Sequence, residues 1–206
     1  RYTVVSLIGS GGFGDVYKVL GTANGAEYAL KTESTSVTPA KSRLKTECRI
    51  LEEIRRIRDP AKKEHFLTLI DQGRTDQYKY IVMDLVGPSL NELRKRNSSD
   101  FLPQTVVQIA LQTLAAVRDL HAIGFLHRDM KPHNFAIGLP PRDSLVFMLD
   151  FGLARRFLDD DGMLRPPRAV VPFTGTVRFA SRAALRNEDH RRHDDLETWL
   201  YTVMEV

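Results

Sequence analysis

Two short polar stretches in the middle of the chain constrain its fold more than any other feature. The first is His-Arg-Asp-Met-Lys-Pro-His-Asn at 127–134, and the second is Asp-Phe-Gly at 150–152. They place Asp129 and Asn134 five residues apart, and Asp150 follows sixteen residues later. A carboxylate such as Asp129 can accept the proton of a hydroxyl group, while an amide oxygen and a second carboxylate can hold magnesium. The pattern therefore predicts a fold that gathers these three side chains into one site.

A glycine-rich segment near the start of the chain predicts a phosphate-binding hairpin. The residues that match the pattern G-x-G-x-x-G are Gly9, Ser10, Gly11, Gly12, Phe13 and Gly14. In nucleotide-binding oxidoreductases this pattern opens a helix, but here residues 15–19 and an Asn-Gly turn follow, which favours a second strand. Without side chains, backbone amides can approach phosphate oxygens closely. We expect Ile8 and Val16, on either side of the glycines, to cover an adenine ring.

A lysine and a glutamate sixteen residues apart complete the predicted nucleotide site. Lys31 ends the third apolar segment, directly after Ala29 and Leu30. A lysine there is either a charge that protects an edge strand or a partner for nucleotide phosphates, and a carboxylate that orients it favours the second interpretation. Glu47, Glu52 and Glu53 share one predicted helix. Glu47 lies on the apolar face of that helix and is the predicted partner of Lys31.

The apolar patterns divide the chain into a strand-rich first part and a helical second part. A helix is predicted to begin at Thr38-Pro39, and strands are predicted at 2–8, 16–20, 28–31, 66–70 and 80–85. Pro103 opens a long helical pattern that Gly124 closes, and helical patterns return from Ser181 onward. This order predicts an α+β chain in two lobes, a small β-rich lobe over 1–86 and a larger helical lobe over 87–206.

Composition and charge limit the classes of partner. Of 206 residues, 42% are hydrophobic and 27% are charged, and the net charge of +4 does not argue for nucleic acid. No apolar run approaches the ~20 residues of a membrane span. Cys48 is the single cysteine, which excludes an internal disulfide and suits a reducing compartment. We expect a monomer in the cytoplasm, with the nucleus as a second location, and neither a nucleic-acid nor a membrane partner.

Several segments together resemble protein kinases of the casein kinase 1 group. Gly-Thr-Val-Arg-Phe-Ala-Ser at 175–181 stands where most protein kinases carry Ala-Pro-Glu, and the sequences at 85–90 and 193–197 are also typical of this group. Within it, the tau-tubulin kinase branch is most similar to this chain, at 125–136, 148–155, 165–168 and 192–196. The resemblance covers essentially the whole chain. It implies a bilobal kinase fold that uses ATP and Mg²⁺ to phosphorylate serine and threonine hydroxyls of protein substrates.

The resemblance also implies roles for individual residues. Asp129 would be the catalytic base, and Lys131 would stabilise the moving phosphoryl group, as in kinases directed at serine and threonine. Asn134 and Asp150 would hold magnesium, and Thr176 would hold Asp129 and Lys131 in place. The implied nucleotide contacts outside the glycine-rich segment are Ala29, Lys31 with Glu47, the gatekeeper Met83, and the backbones of Asp84 and Val86.

A basic cluster bears on whether the protein substrates are acidic or already phosphorylated. Casein kinase 1 enzymes often use such a cluster near the active site, and Arg128 and Arg178 match it, whereas Val171 stands where a lysine often contributes. Arg165 and Arg168 are candidates to compensate, because arginine suits bidentate phosphate contacts. An ordinary solvated basic surface explains the same residues equally well, so both interpretations stay open.

The loop after Asp150 has no obvious phosphorylation site of its own. Many kinases order this loop with a phosphorylated residue that pairs with the arginine of the catalytic loop. Residues 153–173 contain no Ser, Thr or Tyr, so we expect activity without loop phosphorylation. The resemblance to casein kinase 1 enzymes also implies that Asp195 anchors the catalytic loop through the backbone of that loop.

The main alternative function is a kinase-like scaffold that binds partners and transfers nothing. Its mark would be loss of the phosphate lysine, the catalytic aspartate or the metal aspartate, and Lys31, Asp129 and Asp150 are all present. The chain also stops inside an apolar helical pattern at 196–206, where further helices of the larger lobe would be expected. We therefore expect a kinase domain that is incomplete at its C-terminal end.

Overall fold

The computed structural model describes residues 1–11, 14–97 and 101–206, so Gly12 and Phe13 of the predicted phosphate loop lie outside the described residues. The first part of the chain folds into an antiparallel five-stranded sheet with the order β1-β2-β3-β5-β4. Its strands are β1 (Tyr2–Gly11), β2 (Gly14–Gly21), β3 (Glu27–Ser34), β4 (Leu69–Arg74) and β5 (Tyr78–Asp84). The glycine-rich segment thus joins two paired strands, as the sequence predicted.

The fourth strand begins later than predicted, because the apolar run at 66–70 has another task. Phe66 is buried, and its ring centroid lies 6.1 Å from that of Phe151 in the second part of the chain. Leu67 is buried as well. Phe66 and Leu67 therefore lie in the core before the chain enters β4, and Leu69 and Ile70 begin that strand, whose residues 71–74 pair with β5.

Helix α1 (Arg43–Arg55) begins after Ser42, so the predicted start at Thr38-Pro39 is wrong. The hydroxyl of Ser42 caps the first helical turn. The buried carboxylate of Glu33, near the end of β3, accepts the amide of Arg43 at 2.8 Å. Acceptors from the cap and from the sheet satisfy the helix start, and they fix α1 against β3.

The second part is helical and carries two short antiparallel strand pairs. The helices are α2 (Leu90–Arg96), α3 (Pro103–Ala122), α4 (Arg182–Leu185) and α5 (Arg192–Met204). The strand pairs are β6 (Phe125–Leu126) with β9 (Arg155–Arg156) and β7 (Phe135–Ile137) with β8 (Val146–Met148). Helix α3 has the predicted bounds, and Gly124 beyond it has a φ of 86°. The segment between β6 and β7 is therefore held at both ends.

One hydrophobic core runs through both parts of the chain. Helix α1 contributes Ile50 and Leu51, the sheet contributes Met83, and the strand pairs contribute Phe135 and Met148. The predicted α+β fold class is confirmed. Among the helices in the described part of the chain, none is both long and apolar enough to span a bilayer.

Candidate active site

An ion pair between strand β3 and helix α1 brings together three predicted site residues. The Nζ atom of Lys31 lies 2.6 Å from Oε2 of Glu47 and 3.0 Å from Oδ1 of Asp150. Glu47 is buried on α1, on the face that the helical spacing predicted. Glu52 and Glu53 bind other side chains of the sheet and helix. The structure therefore selects Glu47 among the three glutamates.

The opposite charges of Lys31 and the two carboxylates shift one another's pKa values. Burial alone would lower the pKa of Lys31, but Glu47 and Asp150 raise that pKa above its ordinary value. Burial would likewise raise the pKa of Asp150, but Lys31 holds it below the ordinary value. Burial raises the pKa of Glu47, and Lys31 opposes that shift. Lys31 thus stays a cation and Asp150 an anion at neutral pH, in a position to bind a phosphate and a metal ion respectively.

The catalytic loop after β6 holds a buried aspartate in a closed set of hydrogen bonds. Thr176 donates its hydroxyl to Oδ1 of Asp129 at 2.7 Å. Lys131 donates from Nζ to Oδ2 of Asp129 and to the hydroxyl of Thr176, each at 2.9 Å. The three predicted catalytic side chains therefore meet at one carboxylate, although Thr176 lies 47 residues from Asp129 in the sequence.

The predicted metal ligands present oxygen atoms that suit magnesium. Asn134 donates its amide to the backbone carbonyl of Asp129 at 2.8 Å, and no donor of the described residues contacts its Oδ1. Asp150 uses Oδ1 for Lys31 and for the amide of Gly152, while Oδ2 has no donor among the same residues. Amide and carboxylate oxygens fit Mg²⁺. Within the described residues no group of three or more His, Cys, Asp or Glu could hold a metal, so phosphates and water would supply the other ligands.

The catalytic loop is anchored from below by Asp195 of α5, as the resemblance implied. Its carboxylate accepts the amides of His127 and Arg128 at 2.8 and 2.9 Å and lies 2.8 Å from Nε2 of His121. Arg128 has a φ of 69°, a left-handed conformation that side chains rarely adopt. The His127 ring is fully buried, and its Nε2 lies 3.0 Å from the carbonyl of Leu149. These contacts give His127 a structural place in the core.

The glycines of the β1–β2 hairpin differ in what the fold demands of them. Gly14 has a φ of 131°, and an added Cβ would lie 1.8 Å from a carbonyl of β3, so only glycine fits. At Gly9 an added Cβ would meet nothing closer than 3.7 Å, and at Gly11 nothing within 4 Å. Ser10 between them donates its hydroxyl to Asp15 at 2.6 Å. The bare backbone at Gly9 and Gly11 therefore leaves room above the sheet.

The predicted adenine contacts lie on four strands of the sheet and in the chain that follows β5. They are Ile8 on β1, Val16 on β2, Ala29 on β3, and Met83, Asp84 and Val86 at and after the end of β5. Ala29 and Met83 are buried and face each other in the ladder. Ile8 is 50% exposed, and the backbone of Val86 makes no hydrogen bond with the described residues. An apolar wall with free backbone groups beside it suits a planar heterocycle.

Arg128 and Arg178, the two residues of the predicted anion site, have different partners in the structure. Arg178 donates to both carboxylate oxygens of Glu205, at 2.8 and 2.7 Å. The cations that act on Arg128 are Arg155 and Arg168. Sequence reasoning named Arg168 as a candidate but missed Arg155, although Arg155 follows the Asp-Phe-Gly stretch closely. Val171 is buried and takes no part in a charged surface.

Sequence reasoning also missed Asp189. This carboxylate is buried and binds the guanidinium groups of Arg155 and Arg168. It lies within Asn-Glu-Asp-His, a stretch with no motif that marks it. Only the folded chain brings it to the arginines.

Comparison with known proteins agrees with this geometry. The protein kinase domain model matches residues 2–204. A protein of Caenorhabditis elegans named as a serine/threonine-protein kinase is 45% identical over 87% of this chain and 54% of its own length. The serine/threonine-protein kinase spe-6 of the same organism is 38% identical over 100% of this chain and 53% of its own length. A protein named as a casein kinase I, also from this nematode, is 32% identical over 100% of this chain and 60% of its own length.

The chain spans about half the length of the first two of these relatives. The match to the kinase domain nevertheless extends over nearly all of its residues. Together with the buried Asp129, the Lys31–Glu47 pair and Asp150, this match shows that the chain belongs to the protein kinase family.

Proposed function

We propose that this chain transfers the γ-phosphate of ATP to serine and threonine hydroxyls of protein substrates. The observation that carries the proposal is the buried Asp129, whose two oxygens are held by Thr176 and Lys131. A carboxylate fixed in this way is ready to receive a substrate hydroxyl. The serine/threonine kinases among the relatives support the choice of acceptor.

The nucleotide would bind between the hairpin and the catalytic loop. Backbone amides at Gly9 and Gly11 would face the phosphates, and Lys31, oriented by Glu47, would neutralise part of their charge. Magnesium, when bound, supplies positive charge that stabilises the transferring phosphate. Asn134 would hold the magnesium ion through its Oδ1 atom, and Asp150 would hold it through its Oδ2 atom.

In the transfer step, the substrate hydroxyl oxygen forms a bond to the γ-phosphorus while the bond between that phosphorus and the bridging oxygen breaks. Asp129 orients the hydroxyl and accepts its proton, and the bond electrons leave with ADP. Lys131, which is already at Asp129, stabilises the moving phosphoryl group. Because these groups are in place before the reaction, they add rate by positioning and by fixed charge.

The finer assignment follows from the sequence motifs. We place the chain in the casein kinase 1 group, near the tau-tubulin kinase branch, with acidic or phosphorylated protein substrates in the cytoplasm or nucleus. The relative named as a casein kinase I supports the group. We also propose that the protein is a monomer, and size-exclusion chromatography with light scattering would measure its oligomeric state.

The decisive experiment is a phosphotransfer assay with radiolabelled ATP, casein, and peptides that carry one Ser, Thr or Tyr as the only acceptor. We expect label on casein and on the Ser and Thr peptides, and about 10²- to 10⁴-fold slower labelling with Asp129→Asn. Asp143→Asn, an exposed carboxylate near the Pro-Pro turn, is the matched control and should keep full activity. Protein that binds ATP without any transfer would favour the scaffold function instead.

A further inference from the structure

Asp189 is a buried carboxylate that binds two arginines of the activation segment, the stretch of chain that leads from Asp150 to Thr176. Its side chain is 5% exposed and lies in the connection between α4 and α5. Arg155 donates to it from Nη1, and Arg168 donates from Nη2 at 3.0 Å and from its backbone amide at 2.9 Å. Such charge-assisted bonds are among the stronger polar contacts in proteins. The connection before α5 is thus fastened to the activation segment at two points.

The two points lie at the beginning and in the middle of that segment. Arg155 belongs to β9 and pairs with Leu126 of β6, which leads directly into the catalytic loop. Arg168 lies thirteen residues further on, where the chain has no regular secondary structure. Asp189 is therefore a bridge between the fixed start of the segment and its irregular middle.

The arginines around Asp189 form a cluster with excess positive charge. Arg128 is partly buried, and no carboxylate of the described residues lies within ion-pair distance of its guanidinium, which donates to the carbonyl of Leu153 at 2.7 Å. Burial, Arg168 and Arg155 together lower the pKa of Arg128 to about 10. Asp195 and Asp189 act on Arg128 in the opposite direction. Asp189 is the carboxylate that binds Arg155 and Arg168 directly, and its loss would leave these two cations without that partner.

Asp189 stays ionised under ordinary assay conditions. Burial would raise its pKa, but hydrogen bonds from Arg168 and Arg155 outweigh burial and hold that pKa well below the ordinary value. Residues 153–173 contain no Ser, Thr or Tyr, so this stretch cannot supply a phosphate to the arginines. In many kinases a loop phosphate bound by arginines orders the activation segment. Here the anion comes from another part of the chain.

We propose that Asp189 is a positioning residue that orders the activation segment in place of a loop phosphate, by binding Arg155 and Arg168 next to Arg128. The role in catalysis rests on the proposed kinase function. The ordering of the segment does not, because it concerns contacts within the folded chain alone.

The segment leads from these arginines to the catalytic carboxylate. After Arg168 it passes the buried Val171 and reaches Gly175, where an added Cβ would lie 2.7 Å from the carbonyl of Arg128. The next residue, Thr176, binds Asp129. A loosened segment would weaken this contact and disturb the surface that receives the substrate. Binding of ATP, which depends on Lys31 and the hairpin, would remain.

The test compares Asp189→Ala, Asp189→Glu and Arg168→Ala with Glu188→Gln in the whole chain. Glu188 is the neighbouring exposed carboxylate and pairs with Arg186, so it is a matched control. We expect Asp189→Ala and Arg168→Ala to lose about 10- to 100-fold in kcat/KM for a peptide substrate, with the KM for ATP unchanged. Asp189→Glu should recover most of the loss, and Glu188→Gln should behave as wild type.

Two further measurements separate ordering from general stability. Inorganic phosphate at millimolar concentration should restore part of the activity of Asp189→Ala, whereas sodium chloride at equal ionic strength should not. Limited proteolysis with chymotrypsin, which can cut after Phe157 and Phe173, should be faster in Asp189→Ala and slower again with phosphate. Arg168→Ala removes a half-exposed side chain and so probes the same bridge with little risk to folding.

Wild-type activity and proteolysis in Asp189→Ala would overturn the proposal. So would lost activity with a lower melting temperature and no response to phosphate, since Asp189 would then only support the fold. If the wild-type chain transfers no phosphate at all, the kinase function fails. The proteolysis comparison then still decides whether Asp189 orders the segment.

Discussion

The catalytic loop and the glycine-rich hairpin form the two sides of the proposed site, but they are built in different ways. In the catalytic loop, Asp129 and Asn134 are each 6% exposed. The distant Thr176 binds the carboxylate of Asp129, and Asn134 donates to the backbone carbonyl of Asp129. In the hairpin, Leu7 and Ile8 are 56% and 50% exposed. Strand β1 is the edge of its sheet and pairs with β2 alone.

The catalytic loop therefore has its geometry fixed by contacts within the protein, whereas the apolar surface of the hairpin would be covered only by a bound ligand. A buried polar network has one arrangement in which every group is satisfied, so its geometry is fixed before any reaction. Exposed apolar residues on an edge strand lose water only when a ligand covers them. Substitutions in the catalytic loop should therefore change turnover and stability, and those in the hairpin should change nucleotide affinity.

The largest expected effect is that of Asp129→Asn. Loss of the carboxylate removes the proton acceptor and should lower kcat by about 10²- to 10⁴-fold. The lysine and the hairpin remain, so the dissociation constant for ATP, measured by fluorescence titration, should stay near wild type. Near-normal turnover would show that Asp129 is not the base. It would also contradict the assignment of turnover to the catalytic loop and of nucleotide affinity to the hairpin.

A smaller loss of rate is expected when the Lys31–Glu47 pair is opened. Lys31→Met removes a fixed positive charge at the phosphates, and kcat should fall by about 10²- to 10³-fold. It also leaves Glu47 buried without its cation, which should lower the free energy of unfolding by about 3 kcal/mol. The double variant Lys31→Met/Glu47→Gln should regain stability but not activity, as urea unfolding and kinetic assays can show.

The pH dependence of Lys31→Met has a defined sign. Burial raises the pKa of Glu47, so the folded state of this variant favours the protonated acid. A raised pKa in the folded state contributes stability below the unfolded value, and that contribution is lost as pH rises through the folded value. Lys31→Met should therefore lose more stability at pH 8 than at pH 5. An equal loss at both values would contradict an unpaired, buried Glu47.

The anchor under the catalytic loop should affect stability more than chemistry. Asp195→Asn weakens the contacts to His127, Arg128 and His121 and should lower the free energy of unfolding by about 2 kcal/mol. Burial would raise the pKa of Asp195, but His121 holds it below the ordinary value. Its contribution is therefore complete above the ordinary carboxyl pKa and is lost as pH falls through the lower folded value.

Urea unfolding of wild type and Asp195→Asn at neutral and at strongly acidic pH measures this contribution. The gap in unfolding free energy should narrow as the pH falls below the ordinary carboxyl range. Asp143→Asn, the exposed control, should show no gap at either pH. A gap that widens in acid would mean that Asp195 is not held as a buried anion.

The catalytic side of the site could be predicted from the sequence because the residues that mark it lie close together along the chain. Asp129 and Asn134 lie in one stretch, and helical spacing alone placed Glu47 on the inner face of its helix. The start of α1 could not be read in this way, because the acceptor for its first amide is Glu33 on another element. The apolar run at 66–70 predicts a strand, but only Leu69 and Ile70 belong to β4, because periodicity cannot distinguish a short strand from an interior connection.

The contacts that were missed join residues with no pattern in common. Asp189 is 34 residues from Arg155 and 21 from Arg168, and an acidic residue in a polar loop is usually only a solvated charge. The resemblance predicts that Arg178 acts with Arg128 at an anion, and nothing in the sequence indicates that Arg178 also binds Glu205, 27 residues away. Long-range charge pairing depends on the assembled fold, and a single sequence carries little information about it.

The smallest expected effect tests the open side of the site. Ile8→Ala should raise the KM for ATP about fivefold, because covering half of an isoleucine side chain is worth about 1 kcal/mol. The side chain is already half exposed, so the free energy of unfolding should change by about 0.5 kcal/mol or less, and kcat should hold. Val5→Ala is the matched control, since Val5 is also 50% exposed and also lies at a register shift of β1. If Val5→Ala raised the KM equally, or if Ile8→Ala lowered kcat as strongly as opening the Lys31 pair, the hairpin would not be a ligand-completed surface.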